Sequence, residues 1–149
     1  MRVSDAGVYR SGSRSGLPHA ADFSLAPQTR FLPAVFARRT GAAFYKKTGI
    51  QVKLTSLAYR YDGNKPDDFE QEVLKILADP KTPKGQIVSR SSMVNGKPAL
   101  RVMKPEYAGA SCLNCHGSPK GDKDITGMRK EGWSEGDLAG AISVIMPAR

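Results

Sequence analysis

The chain has 149 residues, which is enough for one domain that buries about two-thirds of its unfolded surface, so stability requires neither disulfides nor metals. Lys and Arg number 23 against 14 Asp and Glu, a formal charge of +9 that favours an acidic partner, an anionic surface or an anionic ligand. Two cysteines exclude a disulfide-rich scaffold, and no run approaches the ~20 apolar residues that cross a bilayer.

The first residues, MRVSDAGVYRSGSRSGLPHA, lack the apolar stretch of a signal peptide and are rich in Gly, Ser and Arg. Residues 1–25 are expected to form an extended or flexible arm, and residues 26–149 one domain. From Ala26 to Lys47 apolar residues recur at helical spacing, with Pro33 and Gly41 as weak points and Gly49 as the stop. Residues 50–58 (IQVKLTSLA) read as a strand and 59–66 (YRYDGNKP) as a loop. Asp67 opens a second helix with Glu70 three residues on, a capping-box spacing, and with an apolar stripe of Phe69, Val73, Leu74 and Leu77 that Asp79-Pro80 ends. Residues 86–93 and 98–103 flank Asn95-Gly96, a strong two-residue hairpin signal. Residues 108–130 have no clean period, and 138–146 (LAGAISVIM) read as a last buried strand. The order predicts an α+β domain with an antiparallel sheet flanked by helices.

One motif carries chemistry. Cys112-Leu113-Asn114-Cys115-His116 is C-x-x-C-H, the attachment signature of c-type haem. Its two thiols can each add to one haem vinyl group, and the adjacent imidazole then lies where it can ligate iron. We expect one covalent haem c, with Cys112 and Cys115 as thioether donors and His116 as the axial iron ligand. The competing readings are a thioredoxin-like dithiol, which needs a helix start where Gly117-Ser118-Pro119 stands, and a zinc site, for which the donors are Cys112, Cys115, His116 and distant His19. A bound haem also accounts for the irregular loop, which can wrap the porphyrin without regular structure. Arg101 and Arg129 are candidate partners for the haem propionates, two charges that would bring +9 to about +7. For the distal position the candidates are Met93, Met103, Met128, Met146, His19, water or no ligand; Met103 ranks first among protein donors, as a residue expected at a strand end shortly before the haem loop. Met146 is expected to be core. Because covalent haem is attached in bacteria on the outer side of the cytoplasmic membrane, a periplasmic or extracytoplasmic location is expected.

Residues 44–70 (FYKKTGIQVKLTSLAYRYDGNKPDDFE), 112–119 (CLNCHGSP), 124–132 (DITGMRKEG) and 136–144 (GDLAGAISV) resemble, in the same order, the periplasmic c-type haem PAS-like sensor domains of bacterial chemoreceptors, histidine kinases and standalone relatives. The resemblance covers about residues 30 to 147. It implies a PAS-like fold around one haem, and sensing of redox state or of a small gas such as O2, NO or CO in members fused to signalling modules. It implies a distal ligand that varies among Met, Cys and water, of which Cys is excluded here for want of a third cysteine. A sensor would work with a membrane-bound signalling module outside this sequence; the alternative is an electron-transfer cytochrome, or a cytochrome subunit, docking an acidic redox partner. A homodimer fits either. Nucleic acid is not expected as a partner, because the basic residues are scattered with few interleaved aromatics. No enzymatic role is expected, since His116 is committed to iron and distal acid–base groups cannot be assigned.

Overall fold

The computed structural model describes residues 32–148. Helix α1 (Pro33–Thr48) leads into strand β1 (Gln51–Thr55), then α2 (Asp68–Ala78), β2 (Val88–Val94), β3 (Lys97–Tyr107), a one-turn helix α3 (Leu113–His116) and β4 (Leu138–Pro147). The four strands form one antiparallel sheet in the order β1-β4-β3-β2, so the last strand inserts between the first and the hairpin. The expected α+β class and antiparallel sheet are present. None of the helices among the described residues is long and apolar enough to cross a membrane.

Local chemistry explains most boundaries. Pro33 begins α1 instead of weakening it, since a first-turn proline lacks an N–H the helix would leave unpaired anyway. Gly49, in the left-handed conformation, closes α1 by donating its N–H to the Tyr45 carbonyl. The expected stretch 26–31 of that helix lies outside the described residues, as does the arm at 1–25. Asp67 caps α2: its carboxylate accepts the Glu70 N–H at 2.9 Å, and the Glu70 carboxylate accepts the Asp67 N–H at 3.0 Å. Asn95 and Gly96 both take positive φ, 51° and 75°, the tight turn whose twist matches that of paired strands. Both hairpin strands differ from expectation in extent, β3 running on to Tyr107.

Helix α2 lies on one face of the sheet. Val73, Leu74 and Leu77 pack there against Met103 and Ala141, with Phe69, Val88 and Leu138 at the margin. Fully burying each large apolar side chain contributes roughly 1.5–3 kcal/mol. Along β3 the buried residues are Ala99, Arg101, Met103 and Pro105, whereas Leu100 is exposed and Val102 half-buried. Met146 is only half-buried, on the opposite face of β4 from Ser143 and Ile145. A charged cluster caps the α2 core: Lys53 Nζ reaches Glu70 Oε2 at 2.9 Å, and Arg101 Nη2 donates to Asp67 Oδ2 at 2.6 Å with its guanidinium 4.3 Å from the Phe69 ring centre.

Gly41 is the contact between α1 and β1. A Cβ there would lie 2.3 Å from the Val52 carbonyl oxygen, a backbone atom that cannot swing aside. Gly41→Ala should therefore destabilise the domain by about 1–3 kcal/mol through steric strain, although alanine is the better helix former by ~1 kcal/mol. Urea denaturation checks the sign: a variant as stable as the parent, or more so, would mean that α1 does not pack here.

Candidate functional site

Strands β3 and β4 are neighbours in the sheet, and residues 108–137 bridge them as a long loop. Its base is fastened by two backbone hydrogen bonds, Ala108 N–H to the Asp137 carbonyl (2.8 Å) and Gly136 N–H to the Ala108 carbonyl (2.7 Å). A 3-10 turn at Ala110–Cys112 runs directly into α3. Cys112 has right-handed helical φ and ψ, so Cys112, Cys115 and His116 stand at helical positions i, i+3 and i+4. Those positions share one face, which is why the C-x-x-C-H spacing can present two thiols and an imidazole together. Gly117 lets the chain leave α3: a Cβ there would meet the Leu113 carbonyl oxygen at 2.6 Å.

His116 is held on three sides. Its Nδ1 lies 2.7 Å from Glu131 Oε2. An ionised carboxylate can only accept, so Nδ1 carries the hydrogen, and in the neutral ring Nε2 presents the lone pair. The indole of Trp133 stacks on the imidazole, with ring centres 4.7 Å apart and planes 13° from parallel. The His116 carbonyl accepts the N–H groups of both Gly132 and Trp133 at 2.9 Å.

Arg60, in the connection from β1 to α2, fastens this loop from outside. Its Nε and Nη2 form a fork on the Glu131 carboxylate (2.6 and 2.7 Å), and Nη1 donates to Asp124 Oδ2 at 2.6 Å. Nη2 also donates to the carbonyls of Cys115 and Arg129, at 2.9 and 3.0 Å. Asp124 is fully enclosed and organises the turn beyond it, accepting from the Thr126 hydroxyl and from the N–H groups of Thr126 and Met128. Burial alone would raise the Asp124 pKa; the Thr126 and Arg60 hydrogen bonds outweigh it and the net shift is downward. Glu131 is likewise pushed up by burial and pulled further down by Arg60 and His116. Burial, with the Asp124 charge adding to it, pushes the Cys115 thiol upward. That is the reverse of a redox dithiol, whose nucleophilic thiol is kept low. Among the described residues no group of three or more His, Cys, Asp or Glu side chains is placed to hold a metal ion, and His19, the fourth donor of the zinc reading, lies outside them.

The other candidate residues are dispersed. Arg101 is not at the loop: it is buried in β3 and committed to Asp67 and Glu70 at the start of α2, so it is not a free propionate partner. Met103 is not at a strand end. It sits mid-strand, wholly buried beneath α2, with its thioether inside the apolar core. Arg129 lies in the loop, exposed, donating to the Gly121 carbonyl at 2.9 Å. Met128 is exposed in the same loop and Met93 is exposed in the hairpin. His19 lies outside the described residues.

A family model, Tll0287-like, matches residues 7–147. The chain belongs to the Tll0287-like family. The match begins within the segment expected to be an N-terminal arm. The crystal structure of the cyanobacterial haem protein Tll0287 has a similar fold, with a TM-score of 0.60 and 22% sequence identity over 74% of this chain and 69% of that one. No curated protein matches the chain. Membership of the Tll0287-like family agrees with the resemblance to c-type haem PAS-like domains carried by the 112–119 and 136–144 segments.

Arg60, Asp124, Glu131 and Trp133 were not singled out by sequence reasoning. Each is one polar or aromatic residue in an irregular stretch, and no local period marks it.

The Asp124 shift gives a pH prediction. A carboxylate whose pKa is lowered by folding adds stability above its ordinary value near 3.8, and that stability is lost as pH falls through the lower folded value. Asp124→Asn should cost about 1–3 kcal/mol at pH 7 by leaving Arg60 Nη1 without its charged acceptor. Thermal melts at pH 7 and pH 3 should show the gap between variant and parent narrowing in acid; a gap independent of pH would refute the ionic role.

Proposed function

We propose that the chain is a monohaem c-type cytochrome domain that works outside the cytoplasm and senses redox state or a diatomic gas through its haem. The observation that carries the reading is the orientation of His116: Glu131 occupies Nδ1 and Trp133 covers a ring face, so Nε2 is the nitrogen offered to iron. The half-exposed thiols of Cys112 and Cys115 lie one helical turn apart on the same short element, accessible for thioether bonds to haem vinyl groups. The donor set thus fits haem c, and the similar fold of a haem protein supports it. Bound haem supplies a one-electron iron couple and a coordination position for a small ligand.

The chain's own residues do the rest. Cys112 and Cys115 fix the group, Glu131 sets the His116 tautomer, and Arg60 holds the loop against the β1–α2 connection. This reading calls for a distal position that is open or held by an exchangeable ligand, and Met103, sequestered under α2, is not placed to fill it. A change at the loop reaches β4 directly, since the loop ends where that strand begins. A signalling module and a diatomic such as O2, NO or CO are the partners this reading calls for; no catalysis is assigned.

The second reading, electron transfer to an acidic partner, is favoured by one feature. Lys120, Lys123 and Arg129 are exposed along the loop that carries the C-x-x-C-H motif, a basic rim suited to steering an acidic redox protein.

Denatured protein should retain the mass of one haem and give a c-type pyridine haemochrome, both lost on combined Cys112→Ala and Cys115→Ala; haem extracted freely by acidic acetone would overturn the assignment. The ferrous protein should bind CO with a shifted Soret band. A fully low-spin ferrous spectrum unmoved by CO would remove gas sensing in favour of electron transfer or redox sensing. Met103→Ala should leave that spectrum and the CO affinity unchanged while lowering stability by about 2–5 kcal/mol, the cost of a core cavity.

A further inference from the structure

The edge of the His116 ring opposite Nε2 faces a divided charge. Glu131 Oε2 lies 2.7 Å from His116 Nδ1 and accepts from Arg60 Nη2, also at 2.7 Å. Oε1 accepts from Arg60 Nε at 2.6 Å. The carboxylate therefore shares its negative charge between the imidazole and the guanidinium. Water screens this little, because the Glu131 and Arg60 side chains are 13% and 20% exposed. Nη1 of Arg60 is tied to Asp124, which fixes the guanidinium plane. An imidazole that donates Nδ1–H to a carboxylate gains anionic character and becomes a stronger donor through Nε2. A stronger donor favours the more oxidised metal. A cation on the same carboxylate draws charge away from the ring and opposes this.

We infer that Glu131 and Arg60 are an opposed pair of positioning residues that sets the reduction potential of the haem, Glu131 lowering it and Arg60 raising it. The inference rests on the reading of His116 as the iron ligand. The couple takes one electron from an external one-electron mediator, ferric to ferrous, and the proton stays on His116 Nδ1 in both states. Neither residue touches iron; both act through His116.

Opposite signs separate this from a merely structural role. If the two residues only stiffen the loop, losing either one lets water in and moves the potential the same way. Spectroelectrochemical titration of the holoprotein tests it. Glu131→Gln should raise the midpoint potential and Arg60→Met should lower it, each by on the order of a tenfold change in the ferric-to-ferrous ratio, ~59 mV for one electron. Arg60→Lys keeps the charge but not the fork, and should lie between Arg60→Met and the parent. Should Arg60→Met fail to accumulate, Glu131→Gln and Arg60→Lys still test the pair, together with the His116 Nδ1–H proton resonance of the reduced protein, which Glu131→Gln should move upfield. Shifts of the same sign in the Glu131 and Arg60 variants, or an unmoved potential in Glu131→Gln, would overturn the inference. Parent protein lacking a c-type haemochrome would instead overturn the haem reading, and the samples show this before titration begins.

Discussion

Arg60 joins two parts of the chain that share no strand pairing. One guanidinium, from the β1–α2 connection, binds two carboxylates and two carbonyls of the loop between β3 and β4. The loop has little regular structure and few apolar side chains of its own, so its shape depends on hydrogen bonds: this tie, the two backbone bonds at its base, and those that join its own segments at His116 and Asp124. Only a planar fork can satisfy Glu131 with two hydrogen bonds and still reach Asp124; a lysine would offer one compact charge. The sheltered setting raises the stakes, since removing one partner strands the others with their desolvation cost uncompensated.

A second polar cluster, at the start of α2, has a different task. Lys53, Glu70, Arg101 and Asp67 lie where the helix cap meets the sheet, and Glu70 is wholly enclosed. Glu70 both closes the capping box and receives the β1 lysine, so the cap that starts the helix also docks it. Arg101 is occupied there, and the basic charge near the haem motif comes from loop residues instead. One of these two clusters orients a helix and the other orients a histidine.

The second helix, the hairpin turn and the C-x-x-C-H motif were all legible locally. Asp67 and Glu70 declare a capping box, Asn95-Gly96 declares its turn, and Cys112, Cys115 and His116 declare their motif by spacing, whereas the one-turn helix α3 that carries them stands where the sequence predicts an irregular loop. The register of β3 was not. Its sequence, with Leu100 and Val102 alternating with Arg101 and Met103, suits either orientation of the strand. The structure turns arginine and methionine inward because the charged start of α2 and its apolar stripe lie over that face. A one-residue change of register would exchange the two sets.

Sequence alone determined the fold class, the run of elements from α1 to β4 with the exception of α3, and the three residues of the C-x-x-C-H motif, because each rests on interactions between residues a few positions apart. Tertiary structure decided what surrounds His116. Arg60, Asp124, Glu131 and Trp133 come from two separate irregular segments, and nothing in their spacing foretells that they meet. It likewise decided that Arg101 and Met103 belong to the core. Hydrogen bonds between distant segments depend on how the chain returns on itself, and that path is set by the packing of the whole sheet against α2.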